Sequence, residues 1–270
     1  MSILPNDIRT EFFNVLDWLR ERACARQHGL GTKIPWDNDW LVESLADSVI
    51  YMSFYTMAKF VNSEEILAEN MSDEFFNYIF FGNGDSEIVA KGAKITLEKL
   101  EEIRNEFLYF YPVDSRHSGR DLVPNHLTFF VLNHVAIFPK ENWPKEIVVN
   151  GSVLMDGKKM SKSMGNIIPL RDAVRKYGAD PIRLSILISA ELLQDADFNV
   201  EIISSIKNKL EFMHEECIKL NNPGKIGVEP EDVWIQSRLT KLISEVTDSM
   251  EKMRLRESLH HILYGFDSDL

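Results

Sequence analysis

The sequence predicts an α/β protein whose C-terminal part is helical. Strand and helix signals alternate in the middle of the chain, where an apolar helix candidate at 127–138 precedes the β-rich run Glu146–Asn150. Beyond Pro181, apolar residues recur every three or four positions, which predicts two antiparallel bundle helices, Ile203–Leu220 and Ile235–Met253. With 270 residues and 44% hydrophobic content, the chain is long enough for one large domain or two modest ones.

The N-terminal part of the sequence predicts helices separated by turn-rich segments. Apolar residues at helical spacing predict a helix from Asp7 to Cys24, and the Gly- and Pro-containing segment 29–40 predicts a loop. A smaller helical insertion is expected at 62–108, with Ser72 starting its first helix ahead of acidic residues. A second long helix is expected from about Leu41 to Phe60, and three of its residues would lie along one side: Leu45, Ser48 and Tyr51.

Composition and charge limit the setting and the partners. The two cysteines, Cys24 and Cys217, are far apart and belong to no CxxC pair, which argues against a disulfide framework or a zinc site and favours a reducing, cytoplasmic location. The sequence opens with no charged-then-apolar leader, and the longest apolar stretch, Leu127–Phe138, is too short for a membrane span. Because the net charge is −12 at pH 7, any contact with RNA must be local.

The most specific string is DGKKMSKSMGN at 156–166. Its Lys159 and Lys162 flank small hydroxyl residues in a loop bounded by Gly157 and Gly165. Such a loop can move to close over a triphosphate, and its cations help most where negative charge develops as pyrophosphate departs. The alternative is a solvated basic loop without a ligand.

The string SGRDLVPNH at 118–126 is similar to the Gly-Gly-x-Glu/Asp element that class I aminoacyl-tRNA synthetases carry at the carboxyl end of a sheet strand, followed by His at the matching offset. Asp121 could accept hydrogen bonds from both ribose hydroxyls of ATP, Gly119 would let the backbone approach the nucleotide, and His126 would lie over the same pocket. The next strand would lie alongside and parallel, which would bring Asp121 and the segment 153–163 to one cleft. A surface turn and a structural histidine are the alternatives.

Together these strings resemble class I aminoacyl-tRNA synthetases, and in combination they resemble the archaeal and eukaryotic leucyl-tRNA synthetases more than the bacterial ones. The KMSKS signature is complete at 159–163, whereas Ser118 stands where the family has a glycine. The resemblance implies that residues 1–180 form the second half of a Rossmann-like nucleotide-binding domain, with the helical insertion near 62–108. Residues 181–270 would begin the α-helical anticodon-binding domain.

The resemblance also implies roles for individual residues. The catalytic residues would be Lys159 and Lys162. ATP would be bound by nine residues: Gly119, Asp121, Val153, Leu154, Lys159, Met160, Ser161, Lys162 and Ser163. Leucine would occupy an aliphatic pocket, most of which the segment 43–55 would supply. The alternative for this segment is an ordinary amphipathic helix without a ligand. The leucine-binding residues would be Leu45, Ser48, Tyr51 and His126.

Two other strings are similar to family elements but have sufficient structural explanations. ARQHGLGTKIP at 25–35 is similar to the class I string SRQRYWGTPIP, so Arg26 and Gln27 could touch substrate or the tRNA end. A helix end capped by Gly29 explains these residues nearly as well. In GADPIRL, Asp180 is a predicted helix N-cap with the following proline at the first helical position, and no catalytic role is expected there.

An intact enzyme of this family would use ATP and Mg²⁺ to activate leucine and would transfer it to tRNA(Leu), with no membrane partner. Class I enzymes need a HIGH signature, and the 270 residues contain no H-x-G-H string and no editing domain. We therefore expect this chain to be inactive alone and to work with the missing N-terminal half in cis or in trans. The alternatives are a class I enzyme for isoleucine, valine or methionine, and a non-catalytic RNA-binding or interaction fragment.

Overall fold

The chain divides into two units, Met1–Val149 and Asn150–Leu270. This computed structural model describes residues 1–219 and 229–265. Leu220, most of the connection predicted between the two bundle helices and the C-terminal FDSDL lie outside the described residues. The domain boundary placed after residue 180 rests on the family resemblance and stays a prediction.

The first unit mixes short strands with helices. Its strands are β1 Ser2–Leu4, β2 Ala25–Arg26, β3 Lys33–Ile34, β4 Asp37–Val42, β5 Ser115–Gly119 and β6 Glu146–Asn150. Its helices are α1 Arg9–Trp18, α2 Ser44–Asp47, α3 Tyr51–Tyr55, α4 Ala58–Asn62, α5 Asp73–Phe81, α6 Ser86–Ala93, α7 Leu97–Phe110 and α8 Thr128–Ile137.

The main sheet of this unit has the strand order β1-β6-β5, and β1 runs parallel to β6 with Ser2 opposite Glu146. Two predictions are thereby confirmed: a strand at Glu146–Asn150, and its place beside the strand that ends at Gly119. The apolar run predicted as a helix forms α8 between these two strands in the chain. Consecutive strands joined through a helix are the arrangement expected of an α/β sheet.

The predicted helical insertion is present as α5, α6 and α7. The Ser72 hydroxyl accepts from the Phe75 N–H at 3.4 Å and caps α5, which ends where Gly82 takes a φ of 71°. Arg104 on α7 donates to the last carbonyls of α5, those of Tyr78 and Ile79, at 2.7 and 2.9 Å. A cation here also complements the helix dipole. The three helices enclose a largely aromatic core that includes Phe75, Ile79, Leu100, Ile103 and Phe107.

The N-terminal helix is shorter than predicted, because α1 stops at Trp18 and Leu19 is extended. The segment predicted as a loop contains β3 and β4, which pair antiparallel, and β2 pairs with the other edge of β4. Pairing of Ala25–Arg26 with β4 requires extended backbone close to Cys24, so a helix cannot continue that far. Tertiary pairing therefore overrode the local helical spacing.

The single long helix predicted over Leu41–Phe60 is wrong. Leu41 and Val42 belong to β4, and the rest forms three short helices, α2, α3 and α4. Ile50 has φ −132° and ψ −11°, which breaks the helical path between α2 and α3. Consequently Leu45, Ser48 and Tyr51 do not share one helix face.

The second unit combines a small sheet with helices. Its strands are β7 Val153–Met155, β8 Lys158–Lys159 and β9 Ala196–Phe198. Its helices are α9 Leu170–Tyr177, α10 Ala179–Ser189, α11 Val200–Lys219, α12 Pro230–Glu251 and α13 Leu255–Tyr264. The two predicted bundle helices correspond to α11 and α12, and they pack mainly against α10 and α13 respectively.

Two expectations for this unit need correction. The chain after Pro181 is not helical throughout, because β9 interrupts it and pairs parallel with β7. Asp180 is not the N-cap of its helix, since α10 begins one residue earlier and Gly178, with φ 90°, holds the N-cap position. A φ in this region favours glycine over other residues. Within residues 1–219 and 229–265, no helix is long and apolar enough to cross a membrane.

Candidate active site

The lysine-rich signature begins in a tight β-hairpin. β7 and β8 pair antiparallel, with Leu154 opposite Lys159, and the turn between them consists of Asp156 and Gly157 at φ 50° and 71°. Two consecutive residues with positive φ match the twist of a two-residue hairpin, and Asp-Gly suits it. The Gly157 N–H also donates to the carboxylate of Asp197 in β9 at 3.0 Å, so this hydrogen bond holds the turn against β9.

Asn166 organises the loop that follows the hairpin. Its side-chain oxygen accepts from the Ser161 N–H at 2.9 Å, and its amide nitrogen donates to the Lys159 carbonyl at 3.0 Å. The hydroxyls of Ser161 and Ser163 lie 2.8 Å apart. Sequence reasoning assigned no role to Asn166. The available signal was an asparagine directly after Gly165, whose φ of 69° bends the chain back.

The predicted catalytic lysines, Lys159 and Lys162, are both exposed. In the described part of the chain, neither ammonium group forms an ion pair or a side-chain hydrogen bond. Met160 between them packs instead against the core of the second unit, which includes Ile182 and Phe198. A partly buried methionine between two exposed cations anchors the loop without neutralising it. The arrangement leaves two positive charges for an anionic ligand.

The other predicted ATP residues of this unit lie on the same hairpin or in the loop that follows it. Val153 and Leu154 lie in β7, where Val153 is opposite Ala196 of β9. Ser163 is exposed next to Lys162. The second unit therefore presents the whole predicted set 153–163 on one hairpin and its following loop.

In the first unit, Asp121 lies just beyond the end of β5, as predicted. Its carboxylate is exposed, and none of the described side chains pairs with it, whereas the adjacent Arg120 is paired with Glu11. A Cβ added at Gly119 would lie 2.6 Å from Asp121 Oδ1, so this carboxylate position depends on glycine. An unpaired carboxylate at a strand end can accept hydroxyl donors.

His126 follows in a single π-helical turn, Val123–Leu127, that leads into α8. The backbone of Ser48 lies near its imidazole and favours the protonated form, so the structure brings together two predicted leucine-binding residues. Burial lowers the pKa of His126, and the guanidinium of Arg116 lowers this pKa further. His126 is therefore neutral near pH 7. Its Nδ1 and the Nε of Arg116 are buried without a hydrogen-bond partner, and sequence reasoning did not select Arg116.

The other two predicted leucine-binding residues occupy different surroundings. Leu45 lines a cleft of about 490 Å³ together with Ala46, Phe129 and Leu132, and Ser48, Tyr51 and His126 do not line it. Tyr51 packs edge-to-face on Tyr55, with ring centroids 4.7 Å apart. The structure thus gathers Ser48 and His126 but does not gather all four residues.

The segment 25–35 has a structural role in the first unit. The Arg26 guanidinium donates to the Leu30 carbonyl and packs against Gly29, whose φ is 114°. Residues 25 and 26 form a strand, so the alternative of a helix end capped by Gly29 is wrong. Gln27 is exposed beside this turn. Contact of Arg26 or Gln27 with substrate stays a prediction.

Metal binding by protein side chains alone receives no support. Among the described residues, no three His, Cys, Asp or Glu side chains come together in a way that could hold a metal ion. Magnesium is commonly bound by nucleotide phosphates with few protein ligands.

Sequence comparison finds close relatives over almost the whole chain. The leucine–tRNA ligase 2 of Sulfolobus acidocaldarius is 46% identical over 99% of this chain, and the leucine–tRNA ligase of Archaeoglobus fulgidus is 43% identical over 100%. The chain spans only 28% and 29% of the lengths of these two relatives. The similarity thus covers a part of each relative.

Structural comparison finds two solved synthetases with a similar fold. Mycobacterium tuberculosis methionyl-tRNA synthetase in complex with methionyl-adenylate aligns with a TM-score of 0.65 at 18% identity, covering 97% of this chain and 46% of that one. The Agrobacterium radiobacter K84 LeuRS in its ternary complex with tRNA and LeuAMS aligns with a TM-score of 0.52 at 17% identity, covering 84% and 27%. At these identities the likeness shows the shared fold.

A family model decides the assignment. The model of tRNA synthetases class I (I, L, M and V) matches residues 1–199, which include β5, Asp121, His126 and the complete signature loop. This match covers most of the chain and agrees with the observed α/β architecture. The chain therefore belongs to the class I tRNA synthetase family that comprises the isoleucine, leucine, methionine and valine enzymes.

Proposed function

We propose that the chain is part of a leucine–tRNA ligase, which activates leucine with ATP and transfers it to tRNA(Leu). The chain would act together with the segments that its relatives carry outside the matched region, in cis or in trans. We refer to this combination as the complete synthetase. The observation that carries the proposal is the signature loop, in which Asn166 and Met160 fix the backbone while Lys159 and Lys162 remain unpaired.

The two unpaired lysines suit the phosphates of ATP. Lys159 and Lys162 would stabilise the charge that grows on pyrophosphate as it leaves, so their effect is greatest in the transition state. Asp121 would accept the ribose hydroxyls, and Gly119 would leave room for its carboxylate. Bound Mg²⁺ would supply further charge neutralisation at the phosphates.

The pair formed by Ser48 and His126 supports an aliphatic substrate side chain. The lowered pKa keeps the imidazole neutral near pH 7, so no net charge from His126 has to be desolvated when an apolar side chain binds. A pocket with few polar groups discriminates weakly among aliphatic side chains. The choice of leucine over isoleucine, valine or methionine therefore rests on the leucine–tRNA ligase relatives, which are 42–46% identical to this chain.

The tRNA contact is proposed to be local. The chain has a net charge of −12, yet the segment 158–183 contains two acidic residues, Asp172 and Asp180, against seven basic ones. Phosphates are attracted by such local excess of positive charge. The basic residues are Lys158, Lys159, Lys162, Arg171, Arg175, Lys176 and Arg183. Two exposed free cysteines, Cys24 and Cys217, are consistent with the proposed cytoplasmic location.

The proposal is tested by ATP–pyrophosphate exchange in the complete synthetase with leucine, isoleucine, valine and methionine, each followed by aminoacylation of tRNA(Leu). We expect the ratio of kcat to KM to be highest for leucine. If another of these amino acids gave the highest ratio, it would replace leucine as the proposed substrate, and the family assignment would stand. Absence of exchange with all four, by a folded complete synthetase, would support a non-catalytic interaction fragment instead.

A further inference from the structure

The hairpin at the start of the lysine signature is too short to hold its own position. β7 and β8 share two residue pairs, Leu154 with Lys159 and Met155 with Lys158. Both lysines are exposed, so the β8 side of the hairpin gains little from apolar burial. An isolated two-stranded hairpin is marginally stable in water. The positions of the turn and of Lys159 just beyond it therefore depend on contacts from outside the hairpin.

Asp197 in β9 supplies such a contact. The parallel register places Asp197 opposite Leu154 of β7. Its neighbour Phe198 is buried in the core of the second unit, and successive side chains of a strand point to opposite faces. The Asp197 side chain therefore lies on the other face of the sheet, where its carboxylate accepts from the Gly157 N–H at 3.0 Å. A bond to an ionised acceptor is stronger than one between neutral groups.

Asp197 is itself held in place by the end of α10. The Asp197 N–H donates to the Ser189 hydroxyl at 3.1 Å, and this hydroxyl donates to the Ile186 carbonyl at 2.8 Å. Each hydrogen is used once, because a hydroxyl can accept and donate at the same time. The carboxylate that meets Gly157 is thus mounted on a strand that a helix end supports.

The segment just before β9 holds the beginning of β7 in the same way. The Ser152 N–H donates to the Asp195 carboxylate at 2.8 Å, and the Gly151 N–H donates to the Leu192 carbonyl at 2.7 Å. A Cβ on Gly151 would overlap the Gln194 carbonyl, so this close approach of two backbones requires glycine. The segment 191–197 therefore fixes β7 at its start and the turn that follows its end.

We propose that Asp197 is a positioning residue for the signature loop, which holds Gly157 so that Lys159 meets the phosphates of ATP. The inference rests on the proposed function, because it deepens the same site. Asp197 acts through the backbone and does not touch the substrate. Together with Asn166, which donates to the Lys159 carbonyl, it fixes the backbone around this lysine. Cations that are already in place stabilise developing charge without reorganisation during the reaction.

The test in the complete synthetase is Asp197→Ala, with single-turnover formation of leucyl-adenylate as the measurement. We expect the rate to fall about tenfold and the KM for leucine to stay within about twofold, because misplaced cations act mainly on the transition state. Asp197→Asn keeps an oxygen that accepts from the Gly157 N–H, so its rate should stay within about threefold of the wild-type rate. Asp248→Ala, at an exposed position on α12, is the matched control and should change nothing.

A second measurement does not depend on activity. Amide hydrogen exchange at Gly157 in the 270-residue chain should become faster in Asp197→Ala and should change little in Asp197→Asn. If Asp197→Ala does not fold, Asp197→Ser, whose side chain is one bond shorter than that of aspartate, replaces it in both measurements.

Three results would overturn the positioning role. The first is a wild-type rate in Asp197→Ala. The second is an equal loss of rate in Asp197→Asn, because the charge and not the hydrogen bond would then matter. The third is a rise in the KM for leucine as large as the loss of rate, which would indicate general disorder. These results leave the proposed function intact, whereas absence of leucine-dependent exchange in the wild-type complete synthetase would remove the function and this role together.

Discussion

Asn166 accepts a hydrogen bond from the Ser161 backbone N–H at 2.9 Å and, from the same side chain, donates to the carbonyl of Lys159 at 3.0 Å. One side chain thus bridges two backbone groups on either side of Met160. The backbone of the signature is held in shape while its lysine side chains remain free. A fixed backbone with free lysine side chains suits a loop that binds a triphosphate, because the cations are already in place when the ligand arrives.

Asn166→Ala should loosen the signature loop. We expect kcat for leucine-dependent pyrophosphate exchange in the complete synthetase to fall by roughly tenfold, the order expected when preorganised donors lose their position. In this chain alone, amide exchange at Ser161 should become faster. Asn208→Ala, at an exposed position on α11, is the control. Unchanged kcat and unchanged exchange at Ser161 would show that Asn166 is dispensable.

Lys159→Ala and Lys162→Ala should each lower the activation rate in the complete synthetase by roughly 10²-fold or more, with a smaller effect on the leucine dissociation constant. Single-turnover formation of leucyl-adenylate measures the rate, and equilibrium titration measures leucine binding. Lys241→Ala, an exposed lysine near Glu245 on α12, is the control. If leucine binding fell as much as the rate, the lysines would have a ground-state binding role.

Asp121→Asn should weaken recognition of the ATP ribose. A carboxylate accepts two hydroxyl donors better than an amide does, so the KM for ATP should rise and the preference for ATP over 2′-deoxy-ATP should shrink by roughly fivefold. Pyrophosphate exchange with both nucleotides gives this ratio. Asp114→Asn changes an exposed carboxylate paired with Lys145 and should leave the ratio unchanged. The ribose assignment fails if Asp121→Asn lowers activity equally with both nucleotides.

The 270-residue chain alone should fold but should show negligible leucine-dependent pyrophosphate exchange. The lysine signature is present, but no H-x-G-H string occurs in the sequence, and groups that act together lose most of their effect when one is absent. Circular dichroism reports folding and the exchange assay reports activity. Robust exchange by the purified chain would contradict the need for further segments.

Stability should decrease in mild acid because of His134. In the unfolded chain this histidine takes up a proton near its ordinary pKa of 6.5, whereas burial lowers its pKa in the folded chain. The unfolded state therefore binds more protons below about pH 6.5, so the stability contribution is complete above that pH and is lost progressively below it. Urea unfolding between pH 8 and pH 5 measures the effect.

The matched control for this pH dependence is the variant Tyr111→Phe with His134→Leu, which retains His126 and all carboxylates. Its unfolding midpoint should fall less between pH 6.5 and pH 5 than that of the wild-type chain. Parallel curves for the two proteins would mean that His134 does not titrate on unfolding in this range.

The sequence by itself determined the elements whose local signals agree with their packing. Ser72 and the acidic residues after it predicted the start of α5, and the run Glu146–Asn150 was identified as a strand with its observed bounds. It also located the two strings that resemble family motifs, which single out Lys159, Lys162 and Asp121 as candidates. In these segments, capping, periodicity and turn residues all favour the same structure.

Only the tertiary structure decided how the segment 25–60 is arranged and what holds the candidate site. Helical spacing favoured long helices there, but pairing of β2 and β3 with β4 required extended backbone, and the break at Ile50 separated Ser48 from Tyr51. Long-range contacts also selected the partners that spacing cannot reveal, such as His134 for Tyr111. Hydrogen bonds between distant residues depend on packing, because local propensity is weak compared with burial and pairing.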